Sequence, residues 1–334
     1  MKYYKYLILP LFLTVNIIAQ TNSDIQELAA DFFEWRKITQ PSTEDDILRV
    51  ERPDGWVPDF SPEALKANKL KYIEYSARLK NLYRENWLRS DSVDFLLMHS
   101  AIERVNWELN VLRSPYRNPD FYVQQTIGAV YELLLIHSSM TGQRMKNIIL
   151  RLQSIPQTVK YAKENLIEPV EPFAAVALEN LSDIKNRLYK MRDGLLLISD
   201  KKFENDLNNG VENAASALED YEQWIEINNP QMNKSFSVGR DNYIYFLRNI
   251  ALMTYTPEEL LLMGKVEWNR SVAFEVFERE RNTGLPELKI FSSAEEQIAK
   301  EKEYEQQVRD FLIEKNLISV PNWVQHYINK KITQ

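Results

Sequence analysis

Apolar residues recur at intervals of three and four along most of this chain, and this spacing places them on one face of an α-helix. No stretch shows the strict alternation of apolar and polar residues that is typical of β-strands. Glycine is scarce, with 8 in 334 residues, against an average usage of about 7%. The sequence therefore predicts an all-α, multi-helix fold. One apolar run predicts a long helix with a single buried stripe. Its members are Leu181, Ile184, Leu188, Met191 and Leu195.

Capping residues mark where several of these helices begin. Residues 61–63 (Ser-Pro-Glu) place a serine cap before a first-turn proline, a favoured helix start. Residues 256–259 (Thr-Pro-Glu-Glu) and 293–296 (Ser-Ala-Glu-Glu) follow the capping-box pattern. Pro156 is interpreted as the start of a short helix and residues 208–210 (Asn-Asn-Gly) as a turn, because these residue types commonly interrupt helices.

The amino terminus has the pattern of an export signal. Lys2 and Lys5 precede an apolar run from Tyr6 to Ala19, which is shorter than the ~20 residues that a membrane span needs. Residues 1–19 are therefore predicted to be a cleaved signal peptide. Residues 20–334 are predicted to form one helical domain in the periplasm or outside the cell, with no membrane segment after cleavage.

Charge and composition exclude several classes of function. The net charge is −7, and acidic and basic residues are interleaved without a basic stripe, so nucleic-acid binding is not expected. The chain has no cysteine, which excludes disulfides, thiolate nucleophiles and cysteine-bound metals. No glycine-rich phosphate loop and no Gly-x-Ser-x-Gly serine motif is present.

The three histidines do not form a recognisable metal motif. They are His99, His137 and His326, and none belongs to a His-Glu-x-x-His pair. His99 and Glu103 share a helix face, either as a two-residue fragment of a metal site or as an ordinary polar pair. We therefore predict no catalytic residue, no metal ligand and no cofactor within this chain.

One segment is a candidate for substrate binding. Residues 237–243 combine Gly239 with Arg240 and Tyr243, so that a glycine hinge leads into a helix start carrying a guanidinium. Arg240 could bind an anionic group such as a peptide carboxylate, with Tyr243 beside it. The alternative is an ordinary junction between a loop and a helix. The 7 Trp, 17 Tyr and 14 Phe could similarly line a peptide or glycan groove, or form core.

Four stretches, taken together, carry a resemblance to a known family. Residues 107–122 read WELNVLRSPYRNPDFY and residues 151–173 read RLQSIPQTVKYAKENLIEPVEPF. The third stretch contains Ala217-Leu218, Tyr221 and Trp224 ahead of Gly239 and Tyr243, and the fourth contains residues 255–260 (Tyr-Thr-Pro-Glu-Glu-Leu), Gly264 and Glu267. In this order and spacing they resemble the bacterial family of domain of unknown function 885.

The resemblance implies an all-α, zinc-metallopeptidase-like architecture in which this chain corresponds to the amino-terminal half. Relatives of this kind carry a His-Glu-x-x-x-His zinc motif in a carboxy-terminal half and are expected to cleave peptides. This sequence stops at Gln334 without that motif, so no catalytic residue is carried over, and zinc is implied for full-length relatives alone.

Two functional hypotheses remain, the first from this resemblance and the second from the aromatic and arginine content of the chain. In the first, the chain is an incomplete secreted peptidase-like protein that shapes a peptide-binding channel and is completed by a separate carboxy-terminal half. This hypothesis predicts an exposed apolar surface where the other half would pack. In the second, the chain is a non-catalytic exported helical module that binds a peptide or glycan by itself.

Overall fold

The structure, a computed structural model, describes residues 23–43, 51–82, 87–135, 139–286, 290–321 and 323–324. Within these ranges the fold is all-α, as the sequence predicts, and one isolated bridge between Val170 and Asn233 is the sole extended pairing. The predicted signal peptide, His137 and His326 lie outside the described residues. The chain divides into two compact units, Met1–Leu260 and Leu261–Gln334.

The first unit is built from eleven described α-helices. Two π-helical segments, Trp107–Leu112 and Gln124–Gly128, and two 3-10 turns, Lys201–Phe203 and Asn229–Gln231, interrupt their succession. The helices are α1 Ser23–Thr39, α2 Pro62–Lys80, α3 Arg89–Asn106, α4 Ser114–Arg117, α5 Pro119–Val123, α6 Ala129–Leu134, α7 Gly142–Asn165, α8 Glu171–Leu181, α9 Ile184–Ile198, α10 Glu204–Asn228 and α11 Arg240–Asn249.

Two buried apolar clusters hold this unit together. The larger cluster is formed mainly by α7 to α10, with Leu152 and Leu218 among its fully buried members. The smaller cluster joins α1, α2 and α3 around Phe32 and Ile102. Helices α7 and α10 each bury one apolar stripe and leave the opposite face exposed, which is how amphipathic helices share a core.

The interpretation of Pro156 as a helix start is wrong, because it lies inside the 24-residue helix α7. A proline at this position removes one backbone hydrogen bond. The buried face of α7 nevertheless continues through it, from Leu152 and Ile155 to Val159 and Ala162. Burial of that continuous face offsets the lost bond.

The turn predicted at residues 208–210 is also wrong, because these residues lie within α10. A Cβ atom at Gly210 would lie 3.4 Å from the Leu152 Cβ of α7. Gly210 therefore allows α7 and α10 to approach closely. In the sequence, a glycine with this packing role cannot be distinguished from a glycine in a turn.

The long helix predicted through Leu181 and Leu195 is two helices. α8 ends at Leu181, and α9 begins at Ile184 after Asp183, whose φ of 57° lies in the left-handed region. Leu181 and Ile184 are both buried, so the apolar spacing persists across the break. For this reason periodicity alone could not locate the break.

The predicted caps are confirmed. Ser61 accepts a hydrogen bond from the Ala64 backbone N–H at 3.2 Å at the start of α2. Thr256 and Glu259 form the reciprocal bonds of a capping box at the start of the next helix, α12 Pro257–Arg281. Ser293 caps α13 Ala294–Glu314 by accepting from the Glu296 backbone N–H at 3.1 Å, whereas the Glu296 carboxylate accepts from the Ser292 backbone N–H at 2.9 Å. Capping depends on neighbours in the chain, and therefore local sequence predicts it well.

The second unit contains most of α12 and all of α13. Neither helix has a buried residue among those described. Helix α12 has no single apolar face, because apolar and charged side chains are mixed around its circumference. Its exposed large apolar side chains are Leu261, Leu262, Met263, Val266, Trp268, Val272, Phe274, Val276 and Phe277. Across the described part of the chain, no helix combines the length and apolar character needed to cross a membrane.

Candidate functional site

A cavity of about 270 Å³ lies in the first unit. We treat it as the candidate site because unusual backbone and charged side chains converge on it, although two depressions of about 600 and 620 Å³ are also present. Its wall is formed by the end of α1, the segment after it, α2, α3, α4, α5 and both π-helical segments. The lining residues are Arg36, Thr39, Pro41, Ser42, Thr43, Phe60, Leu65, Asn68, Val105, Glu108, Leu109, Leu112, Ser114, Pro115, Asn118, Asp120, Phe121 and Gln124.

The backbone around the cavity departs from regular helix in three places. Helix α3 widens into the π-helical segment Trp107–Leu112, which supplies Glu108, Leu109 and Leu112 to the wall. That segment ends at Arg113, a non-glycine residue with a φ of 54°. The second π-helical segment starts at Gln124, another lining residue. Such irregularities carry a free-energy cost and concentrate at functional sites.

A buried ion pair forms one side of the cavity. The Arg36 Nη2 donates to both carboxylate oxygens of Glu108 at 2.9 Å. The two side chains are 6% and 17% exposed. Burial removes most of their hydration, so each charge is stabilised mainly by the other. The pair joins the end of α1 to the first π-helical segment and fixes the wall between them.

Asp120 is a second acidic residue of the lining, and the partners of its carboxylate are amides. Its Oδ1 accepts from the Asn180 Nδ2 at 2.8 Å, and its Oδ2 accepts from the Gln124 Nε2 at 3.4 Å. Within the described chain, Asp120 has no ion pair. Next to it, the rings of Phe60 and Phe121 meet edge to face, with centroids 4.9 Å apart.

Two buried tyrosines brace the short helices that carry Asp120. The Tyr122 hydroxyl donates to the Pro115 carbonyl at 2.9 Å and accepts from the Asn165 Nδ2 at 2.9 Å. The Tyr221 hydroxyl donates to the Pro119 carbonyl at 2.8 Å. Burial raises the pKa of both hydroxyls well above the ordinary value of 10, so both remain neutral donors.

This bracing cluster brings together three of the stretches that carry the family resemblance. Tyr122 comes from residues 107–122, Asn165 from residues 151–173 and Tyr221 from the third stretch. The Asn165 Nδ2 also donates to the Phe60 carbonyl at 2.8 Å. The motif residues therefore support the cavity wall through hydrogen bonds to its backbone carbonyls.

The two predicted substrate-binding residues lie elsewhere in the first unit. Arg240 is the first residue of α11, and its Nε and Nη2 donate to the two carboxylate oxygens of Glu258 at 2.9 Å. These bonds hold the pKa of the Glu258 carboxyl below its ordinary value. Tyr243 is 42% exposed. Neither residue lines the 270 Å³ cavity, and a peptide carboxylate at Arg240 would compete with Glu258.

His99 and Glu103 do not act as a pair. The His99 Nε2 lies 3.4 Å from the Asn249 Oδ1, whereas Glu103 accepts a hydrogen bond from the Tyr245 hydroxyl. Over the described ranges, no group of three or more His, Cys, Asp or Glu side chains could hold a metal ion. The described residues therefore do not fit the zinc that the resemblance implies for full-length relatives.

Sequence reasoning did not identify the cavity residues as a site. Glu108 and Asp120 lie in residues 107–122, which carry part of the family resemblance. That resemblance was the signal in the sequence that could have pointed to a site here. Arg36 lies 72 positions before Glu108, and no local pattern links the two residues.

One solved structure shares this fold at low sequence identity. It is a protein from Shewanella oneidensis described as a lipoprotein of unknown function, with 13% identity and a TM-score of 0.60. The similarity covers 90% of this chain, and this chain spans 58% of the length of that protein. No curated protein matches this sequence.

The family assignment comes from the sequence itself. The family described as "Bacterial protein of unknown function (DUF885)" matches residues 45–316, a range that includes all four stretches identified above. This match extends over most of the chain, and we conclude that the chain belongs to the DUF885 family.

Proposed function

We propose that this chain is the amino-terminal half of an exported, zinc-metallopeptidase-like protein, and that this half shapes a peptide-binding channel without carrying out cleavage. The observation that carries the proposal is α12, which exposes large apolar side chains around its circumference, between charged ones, and has no buried residue. In this proposal zinc and the cleavage residues belong to a separate carboxy-terminal half, because the described residues offer no ligand set.

The physical argument starts from the cost of exposing α12. Monomeric soluble proteins rarely expose large apolar patches. Each exposed apolar side chain forgoes about 25 cal/mol per Å² that burial would provide. Trp268 and Phe277 are 71% and 73% exposed. A covering partner removes this cost, and an exposed patch of this kind is typical of an interaction surface.

The similar Shewanella oneidensis protein supports the same proposal. This chain spans 58% of its length, so the larger relative has room for a second part of substantial size. The first unit contributes a cavity with apolar, aromatic and charged walls, which is the character of a site that positions part of a ligand. Binding and positioning are therefore the roles proposed for this half.

The test is association with the carboxy-terminal half. The reading frame directly downstream of this coding sequence is determined first, and any product with a His-Glu-x-x-x-His helix is co-expressed with the full chain. The proposal expects a stable one-to-one complex by size-exclusion chromatography with light scattering. Failure of that product to associate, or the lack of any such frame, contradicts it.

Matched variants locate the surface. Leu262→Glu combined with Phe277→Glu is expected to abolish the complex, because both side chains are exposed apolar residues of α12. Leu197→Glu on α9 makes the same chemical change at a side chain that is 86% exposed, and is expected to leave the complex intact. Equal effects of the two changes would contradict docking on α12.

The alternative is a non-catalytic exported helical module that binds a peptide or glycan by itself. The observation in its favour is that the 270 Å³ cavity is built within the first unit alone. Under this alternative the purified chain is a monomer that unfolds in one sharp transition and binds ligand without a partner. Aggregation or loose packing of the isolated chain would favour the half-protein instead.

A further inference from the structure

We propose that the 270 Å³ cavity binds a protonated amine, recognised by the carboxylate of Asp120. The inference deepens the proposed function and rests on it in one respect: if the ligand is a peptide, the amine is its free amino terminus. A short peptide would then be held by its first residue, and acetylation of that residue would prevent recognition.

The charge balance of the cavity carries the argument. Among its described lining residues the ionisable side chains are Arg36, Glu108 and Asp120. Arg36 and Glu108 neutralise each other through two hydrogen bonds of 2.9 Å. Asp120 remains as an uncompensated negative charge beside apolar walls. A partly buried carboxylate is stabilised when a cation joins it, and the described wall offers Asp120 no such cation.

The hydrogen-bonding capacity of Asp120 also favours an amine ligand. An ionised carboxylate accepts at about four lone-pair positions, and an ammonium group donates three hydrogens. Among the described residues, the Asp120 carboxylate accepts from the side-chain amide N–H groups of Asn180 and Gln124. These neutral donors hold the carboxylate in place and leave capacity for a charged donor, whose hydrogen bonds to a carboxylate are the stronger kind.

The remaining walls suit the rest of such a ligand. Phe60 and Phe121 provide aromatic surface, which attracts cations as well as apolar groups. Leu65, Leu109 and Leu112 are further apolar lining residues. A volume of about 270 Å³ lies near the lower limit of ligand pockets, about 300 Å³. It therefore accommodates one or two residues of a peptide.

The experiment is isothermal titration calorimetry of the full chain with Phe-Ala, with N-acetyl-Phe-Ala and with phenethylamine. The proposal expects Phe-Ala to bind, and N-acetyl-Phe-Ala to bind roughly 10- to 100-fold more weakly, because the acetylated nitrogen carries no charge. The comparison uses the wild-type protein and is independent of whether any variant folds.

Variants assign the recognition to Asp120. Asp120→Asn is expected to weaken Phe-Ala binding by the same factor and to leave N-acetyl-Phe-Ala binding unchanged, while Asp120→Glu retains part of the affinity. Asp193→Asn, at a side chain 64% exposed on α9, is the matched control and is expected to bind as the wild type does. Circular dichroism checks that each variant is folded.

The outcomes separate this inference from the proposed function. Equal affinity for Phe-Ala and its acetylated form, or full binding by folded Asp120→Asn, overturns the amine inference and leaves peptide binding standing. Phenethylamine binding as tightly as Phe-Ala, and depending on Asp120, supports the amine inference and contradicts a peptide ligand. Binding of none of the three compounds overturns the amine inference, whereas the proposed function is tested separately by association with the carboxy-terminal half.

Discussion

At the residue scale, the buried hydroxyl of Tyr122 joins two distant parts of the chain. It bonds the Pro115 carbonyl and the Asn165 side chain. Tyr122→Phe leaves both groups without this partner inside the core, so we expect a loss of about 1–3 kcal/mol in the free energy of unfolding, measured by urea denaturation. Tyr131→Phe, at a side chain 55% exposed, is the control. An unchanged midpoint for Tyr122→Phe would contradict this account of the cavity wall.

The buried pair of Arg36 and Glu108 gives a second prediction at this scale. Arg36→Ala leaves the Glu108 carboxylate desolvated and unmatched, so we expect a loss of about 3–5 kcal/mol. The double variant Arg36→Met, Glu108→Leu is expected to recover much of that loss, because it buries no charge. Urea denaturation of the single and double variants checks both statements.

The control for this pair is an exposed one. Lys71 and Glu74 are 2.8 Å apart with side chains 46% and 48% exposed, and water screens such pairs. Lys71→Ala is expected to keep a midpoint close to that of the wild type. If Arg36→Ala were equally mild, the ion pair would not be a structural part of the cavity wall.

At the element scale, the start of α12 depends on an ionised capping residue. Hydrogen bonds from the Thr256 backbone N–H at 2.7 Å and from its hydroxyl at 2.9 Å hold the pKa of the Glu259 carboxyl below its ordinary value of 4.5. Because the folded pKa is lowered, the cap stabilises the helix above about pH 4.5. This stabilisation is lost as the pH falls through the folded pKa.

Glu259→Gln should therefore destabilise the first turn of α12 at pH 7 and have a smaller effect at an acidic pH below the folded pKa, where the wild-type carboxyl is also neutral. Hydrogen exchange of the α12 amino-terminal amides at both pH values measures this difference. Glu280→Gln, near the other end of α12, is the control. A difference between wild type and Glu259→Gln that does not change with pH would exclude the ionised cap.

At the scale of the whole molecule, burial is distributed unevenly. Helices α7 and α10 carry the main core, whereas α12 and α13 have no buried residue among those described. We expect amides of α7 and α10 to exchange at rates near those of global unfolding, and amides of α12 and α13 to exchange much faster, because local opening follows burial. Mass spectrometry of peptides from the same sample tests this, and uniform protection would contradict it.

Much of the fold could be predicted from short-range signals. The caps at Ser61, Thr256 and Ser293 depend on residues within one helical turn, and apolar stripes depend on residues three and four apart. The failed predictions at Pro156 and Gly210 share a cause. Each residue type commonly interrupts a helix, but burial of the faces of α7 and α10 outweighs that tendency.

The sequence by itself determined the all-α class, the caps, the family resemblance and the absence of cysteine chemistry. Each of these depends only on local residue order or on composition. Tertiary structure alone decided the cavity. Arg36 meets Glu108 across 72 positions, and Asn165 meets Tyr122 across 43. Contacts at such separations form when helices pack, and packing depends on how whole faces fit together.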